Sequence, residues 1–140
     1  MLCCEGTVDP FNPKAVRASA GAILRTMVMK APAPRVVLEE LGSLGFKRVG
    51  AVARGGAPFT EAVLDPPLAL VLGNEAAGLS PELAGLLDGL VTVPMAQGAE
   101  SLNVSMAAAV LCFEVARRRS NLHPDAVNEA EETLSEQMAR

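Results

Sequence analysis

The sequence predicts an α/β domain with a mostly parallel sheet and flanking helices, and three observations predict it. Strand-like apolar runs alternate with segments of helical spacing, the connections between them are short, and Leu68-Ala69-Leu70-Val71-Leu72 is a continuous apolar run. Such a run is what a central parallel strand shows when both its faces are covered. The 140 residues suit one domain, and 50% hydrophobic content excludes a mainly disordered or fibrous chain. Aromatic residues make up only 3%. The core is therefore expected to be aliphatic and Ala-rich, and base stacking on exposed rings is a poor candidate for ligand contact.

In chain order, Leu2 to Cys4 reads as the stub of a strand, because an apolar start meets Glu5-Gly6 at once. Asn12 then caps a helix that opens on Pro13, runs to about Ala20 and stops at Gly21. A short apolar stretch, Ile23 to Met29, precedes a second helix from Pro34 to Leu44, with Val37, Leu41 and Leu44 on one face and Gly45 closing it. Phe46 to Ala53 has β character, Arg54-Gly55-Gly56 is a loop, and Pro58 to Leu64 fits one or two helical turns. After the strand at Leu68–Leu72, Ser80-Pro81 opens a helix ending near Asp88-Gly89, and Leu90 to Val93 is the next strand. The last helix runs from about Asn103 to Arg119 with Val104, Ala107, Ala108, Leu111 and Val115 at helical spacing. It is apolar around much of its circumference, which points to heavy burial, in part against a second subunit. The domain is expected to span residues 1–119, with residues 120–140 a polar, acidic tail.

The net charge of −4 is unevenly spread: residues 1–54 carry +4, residues 55–116 carry −7 with no Lys or Arg, and Arg117, Arg118 and Arg119 form a short basic cluster. The arginine cluster reads as a helix-dipole complement, and a basic face in the first third is open alongside an ordinary solvated surface. No apolar run approaches the ~18 residues of a membrane helix, and no secretory signal precedes Glu5, so a cytoplasmic or organellar-matrix address is expected. Cys3, Cys4 and Cys112 lack zinc-ligand spacing, so no metal site is expected; they read as reduced thiols, with Cys112 a small core residue. His123, alone in the tail, reads as inert.

In parallel sheets ligands bind where loops leave the carboxyl ends of the strands, so the loops after Leu72 and Val93 are the candidate sites. The first, Gly73 to Leu79, reads GNEAAGL. Its glycines allow close approach of backbone to a ligand, and Asn74 and Glu75 offer an amide and a carboxylate. It reads equally as a strand-to-helix turn in which Asn74 bonds its own backbone. In the second, Pro94 stops the strand, Gln97, Gly98 and Glu100 follow, and Ser101, Asn103 and Ser105 crowd the start of the long helix. A helix start suits a carboxylate or phosphate, and plain N-capping is the alternative.

Taken together, LVLGNEAAGL followed by VPM and SLNVSMAAAV closely resembles the second and third motifs of the SpoU (TrmH-like) RNA ribose 2′-O-methyltransferases. Gly6 to Ala22, GTVDPFNPKAVRASAGA, resembles the stretch preceding those motifs in rRNA-modifying members, so the resemblance covers about residues 5 to 119. It implies a SPOUT fold with a C-terminal trefoil knot, an exception to the rule that chains do not thread their own loops, and a homodimer. It further implies that Leu72, Gly73, Asn74, Gly78, Val93, Pro94, Met95, Ser101, Leu102 and Asn103 hold S-adenosylmethionine, and that Glu75, Ser101 and Asn103 order the catalytic region. The implied partner is rRNA or tRNA; Lys14, Arg17, Arg25 and Arg54 are the candidate RNA contacts, each equally readable as a solvated charge.

The chain departs from the family in one respect. The first motif, an Asn followed by the Arg that activates or positions the 2′-OH, normally precedes the strand whose end survives as Leu2 to Glu5, and it has no counterpart here. Arg25, in AILRT, follows the Gly6–Ala22 match and does not take that role. The expectation is a truncated form with impaired activity. The competing expectations are a non-catalytic module that retains the knot with cofactor or RNA affinity, and an unrelated nucleotide-binding α/β domain.

Overall fold

The computed structural model describes residues 1–75, 77–95 and 102–122. The expectations on Gln97, Gly98, Glu100, Ser101, His123 and the tail from residue 123 onward lie outside the described residues. The chain forms two compact units, Met1–Phe46 and Lys47–Arg140.

In the first unit, β1 (Leu2–Cys3) pairs in parallel with β2 (Met29–Lys30). Helix α1 (Pro13–Ala18) starts as expected: the Asn12 side chain accepts from the N–H groups of Lys14 and Ala15, both at 2.9 Å, and Pro13 supplies a preset φ. It ends two residues earlier than the sequence predicts. Ala20 already lies at φ 47 and Gly21 at φ 85, so the left-handed turn begins before the glycine; a side chain in that region costs on the order of 1 kcal/mol. Residues Ala22–Leu24 form a single 3₁₀ turn. Helix α2 (Pro34–Ser43) buries Val37 and Leu38. Leu44, expected on the buried face, is 65% exposed because the helix ends one residue before it and Gly45 turns the chain at φ 79.

The second unit holds β3 (Lys47–Ala51), β4 (Ala57–Pro58), β5 (Leu68–Leu72), α3 (Pro81–Ala84), β6 (Gly89–Thr92) and α4 (Val104–Leu122). The strands form an all-parallel sheet in the order β4-β6-β3-β5, with Ala51 opposite both Leu72 and Val91. Strand β5 is therefore an edge strand, not the central one its sequence suggests. A continuous apolar run reports that the two faces are covered, and Leu68 to Val71 are half-buried; it carries no information about the strand's edges. The segment after β4 makes one turn, closed by the N–H groups of Glu61 and Ala62 on the Pro58 carbonyl at 2.8 and 2.9 Å. Helix α3 is four residues long, with Ser80 accepting from Leu83 N–H as its cap, rather than extending to Asp88. Asp88 instead leads into β6: its carboxylate takes the Arg48 guanidinium at 2.8 and 2.9 Å and the Arg48 N–H at 2.7 Å. These bonds hold its pKa well below the usual carboxylate range and fix the register of β6 on β3.

Val49, Ala62, Leu64, Val91 and Leu111 form the core of this unit, with Phe59, Leu70 and Val115 packed on it. Helix α4 turns Leu111 and Glu114 fully inward, with Val104, Ala107, Ala108 and Val115 half-buried, as its spacing predicts. Its opposite face is bare: Met106, Ala109, Cys112, Phe113 and Ala116 are exposed, Phe113 at 72%. Cys112 is thus not a core residue; it points to solvent, and Cys3 is the buried thiol.

Two members of the arginine cluster have specific partners rather than a general dipole role. Arg117 donates to both Glu114 oxygens at 2.8 Å and Arg118 to Oε1 at 2.7 Å. Arg118 also donates to the carbonyls of Ala62, Phe59 and Thr60 at 2.7, 3.0 and 2.9 Å, tying α4 to the turn after β4. The hydrogen bonds from Arg117 and then Arg118 lower the Glu114 pKa to about 2. A depressed pKa means that the ion pair stabilises the fold fully above the ordinary carboxylate value and loses that contribution as pH falls toward 2. Urea midpoints measured from pH 5 to pH 2 are expected to fall more steeply for the natural chain than for Glu114→Gln; parallel curves would show that the pairing contributes nothing.

Candidate functional site

Because β3, β5 and β6 are parallel, their carboxyl ends, at Ala51, Leu72 and Thr92, lie along one edge of the sheet. The chain leaving β5 doubles back at once. Asn74 and Gly78 pair as an isolated antiparallel bridge, with Asn74 N–H to Gly78 carbonyl at 3.1 Å and the reverse bond at 2.7 Å. The Asn74 side chain accepts from Ala77 N–H at 3.2 Å, so the expected local bonding of Asn74 is present within a closed loop. Two glycines make the loop feasible. A Cβ on Gly73 would lie 2.4 Å from the Gly78 carbonyl carbon, and Gly78 itself adopts φ 67.

This loop and the segment before α4 line a single cleft of about 440 Å³, within the size range of small-molecule sites. Leu72, Gly73, Asn74, Glu75, Gly78, Val93, Met95 and Leu102 all border it. Pro94 is exposed and does not, Asn103 does not border it either, and Ser101 lies outside the described residues. Asn103 nevertheless reaches the cleft's rim: its Nδ2 donates to Glu75 Oε1 at 2.5 Å. Its Oδ1 accepts from the N–H and the hydroxyl of Ser105, at 2.9 and 2.5 Å, which caps α4. The two loops are thus joined by a side-chain bond. Glu75 is the only ionisable side chain among the described residues that border the cleft; beside it the wall carries the Asn74 amide and the Met95 thioether, and is otherwise aliphatic or backbone.

Sequence reasoning missed the third wall. Ala51, Val52 and Ala53 at the end of β3 border the cleft, as do Leu79, Val91, Val104, Ala107 and Leu111. The strand-end rule applied to β3 as well as to β5 and β6 would have pointed to Val52-Ala53. Thr92 Oγ1 donates to the Ala53 carbonyl at 3.0 Å, holding that wall against β6. The loop beyond it passes so close that a Cβ on Gly56 would meet the Val91 carbonyl carbon at 2.7 Å. Of the basic candidates, Lys14, Arg17 and Arg25 are exposed in the first unit, with Arg17 Nε donating to the Pro13 carbonyl at 3.3 Å, and Arg54 is exposed in the second.

Comparison with known proteins decides the family. The model of the SpoU rRNA Methylase family matches residues 1–113. The chain belongs to that family. Among curated relatives, it is 37% identical over 111 residues to the Bacillus subtilis 23S rRNA (guanosine(2553)-2′-O)-methyltransferase RlmP, covering 79% of this chain and 44% of the relative. It is 32% identical over 124 residues to the 23S rRNA (uridine(2479)-2′-O)-methyltransferase of Streptomyces viridochromogenes, covering 85% and 43%. Among solved SpoU structures, it is similar to the methyltransferase AviRb from S. viridochromogenes in complex with AdoMet, at TM-score 0.77 and 30% identity over 86% of this chain and 49% of that one. It also resembles the AdoMet-bound rRNA methyltransferase from Sinorhizobium meliloti, at TM-score 0.71 and 28% identity over 84% and 45%. The chain therefore spans less than half the length of these relatives. Among the described residues, no helix is long and apolar enough to cross a membrane, and no cluster of three or more His, Cys, Asp or Glu could hold a metal.

Proposed function

We propose that this chain is the S-adenosylmethionine-binding part of an RNA ribose 2′-O-methyltransferase acting on rRNA or tRNA. The observation that carries the reading is the cleft itself: two loops joined through Glu75 and Asn103, a largely apolar wall, and one carboxylate as its only ionisable lining group among the described residues. This fits the cofactor chemically. A sulfonium is positive, so an anionic lining with no Lys or Arg among the described residues suits it, and the lack of side chains at Gly73 and Gly78 lets a ligand approach the loop backbone closely. When bound, S-adenosylmethionine supplies an electrophilic methyl group.

The chain's own residues supply orientation. Leu72, Gly73, Asn74, Gly78, Val93, Met95 and Leu102 hold the cofactor; Glu75 and Asn103 fix the rim at which a ribose hydroxyl would enter, and Ser101 belongs to the same segment. A neutral alcohol is a poor nucleophile, so transfer also needs a group to take or redirect its proton. RNA would be gathered by Lys14, Arg17, Arg25 and Arg54, through phosphate contacts that carry no sequence information. A second copy of the chain would cover the stripe of α4 running from Met106 to Ala116, whose five exposed apolar or thiol side chains suit an isologous contact. The C-terminal trefoil knot and a cytoplasmic address complete the reading, with residues 120–140, whose first three close α4, as an acidic tail.

One observation favours a second reading, a non-catalytic module that binds cofactor or RNA. Among the described residues no Lys or Arg borders the cleft. Transfer of labelled methyl groups from S-adenosylmethionine to rRNA and tRNA separates the two. Residues 1–140 alone are expected to be at least about 100-fold slower than a chain extended upstream with the family's Asn/Arg helix, the low end of what a positioned acid–base group contributes. Equal rates would contradict the role given to the first-motif Arg, and an inactive extended chain would favour the module.

A further inference from the structure

We propose that Ser105 is a positioning residue for the site: it locks the Asn103 amide so that its NH₂ faces Glu75 and closes the cleft. The inference rests on the cofactor reading above and adds to it a residue that the family resemblance does not assign. An amide side chain can present either its oxygen or its nitrogen to a neighbour, and only one arrangement bonds a carboxylate. Here the choice is made by Ser105. Both its backbone N–H and its hydroxyl donate to Asn103 Oδ1, at 2.9 and 2.5 Å, which commits the amide oxygen to α4 and leaves Nδ2 to donate to Glu75 Oε1.

The arrangement is needed because all three residues are exposed. Water competes for each group there, so a lone Asn–Glu bond would hold the loops together weakly. Two donors from one residue restrict the amide before Glu75 is engaged. The hydroxyl also polarises the amide along the chain Ser O–H, Asn C=O, Asn N–H, Glu carboxylate, which strengthens the last bond. Capping α4 alone requires only the backbone N–H of Ser105, which any residue retains. The hydroxyl is therefore the part that serves the cleft rather than the helix, and this makes the proposal separable from a structural role.

The test compares Ser105→Ala and Ser105→Thr in the full 140-residue chain with three measurements. These are the thermal midpoint, the side-chain NH₂ resonances of Asn103 by ¹⁵N NMR without ligand, and S-adenosylmethionine affinity by calorimetry. Ser105→Ala should leave the thermal midpoint nearly unchanged, move the Asn103 NH₂ resonances toward those of a free amide, and weaken cofactor binding about 3- to 10-fold, the scale of one modest hydrogen bond. Ser105→Thr, which keeps the hydroxyl, should match the natural chain in all three. Unmoved Asn103 resonances in Ser105→Ala would overturn the proposal, as would a threonine variant that behaves like alanine. Failure of the natural chain to bind the cofactor would instead sink the cofactor reading, while the ligand-free NMR comparison would still decide the role of Ser105.

Discussion

Gly73→Ala is expected to abolish S-adenosylmethionine binding, weakening it by on the order of 100-fold or more. The added Cβ would sit 2.4 Å from the Gly78 carbonyl carbon, 2.5 Å from its oxygen and 2.7 Å from Leu79 N. All three are backbone atoms that cannot swing away as a flexible side chain could. Relief requires opening the Asn74–Gly78 bridge, whose two hydrogen bonds give the loop its shape. Overpacking of this kind costs about 1–3 kcal/mol or more, and 1.4 kcal/mol is a tenfold change in affinity. The loop lies outside the core cluster, so the variant should still fold. Calorimetry beside circular dichroism checks both halves: a folded variant that binds like the natural chain would show that this loop does not hold the cofactor.

Leu111→Ala is expected to lower stability by about 2–5 kcal/mol, the usual cost of truncating a fully buried leucine, and the thermal midpoint by roughly 10 °C or more. Leu111 is 1% exposed and sits in the core cluster with Val49, Leu64 and Val91, yet it also borders the cleft. The same side chain is floor of the site and centre of the core, so its removal both leaves a void and deepens the cleft. Weakened cofactor binding should accompany the loss of stability. Ala107→Gly, one turn earlier on the cleft side of α4, is the control for helix propensity alone, worth about 1 kcal/mol. A Leu111→Ala midpoint no lower than that of the control would contradict the packing described here.

The parts of the fold visible in the sequence are those with a local physical cause. Asn12-Pro13 and Ser80-Pro81 mark helix starts because a cap and a preset φ act within one turn, and both caps are present. The inward face of α4 follows from the 3.6-residue period. The failures are equally physical. The length of α3 and the edge position of β5 depend on partners distant in sequence: Asp88 leaves any helix to pair with Arg48, forty residues earlier. The exposure of Cys112 was hidden because an Ala-rich helix looks buried all round, whereas among the described residues only one side of α4 is covered. In the site, the GNEAAG loop and the segment before α4 stood out by composition. The third wall, Ala51 to Ala53, did not, since small apolar residues at a strand end carry no chemical signature of their own. Nor could spacing alone show that Glu75 and Asn103, 28 residues apart, share a hydrogen bond.

The most direct test of the account is calorimetric titration of the natural 140-residue chain with S-adenosylmethionine, alongside ATP. Saturable one-site binding of the methyl donor, with no heat from ATP at the same concentration, is the predicted result. Binding of ATP instead, or no heat from S-adenosylmethionine while the chain is shown to be folded, would contradict the assignment of the cleft between the Gly73–Gly78 loop and the start of α4.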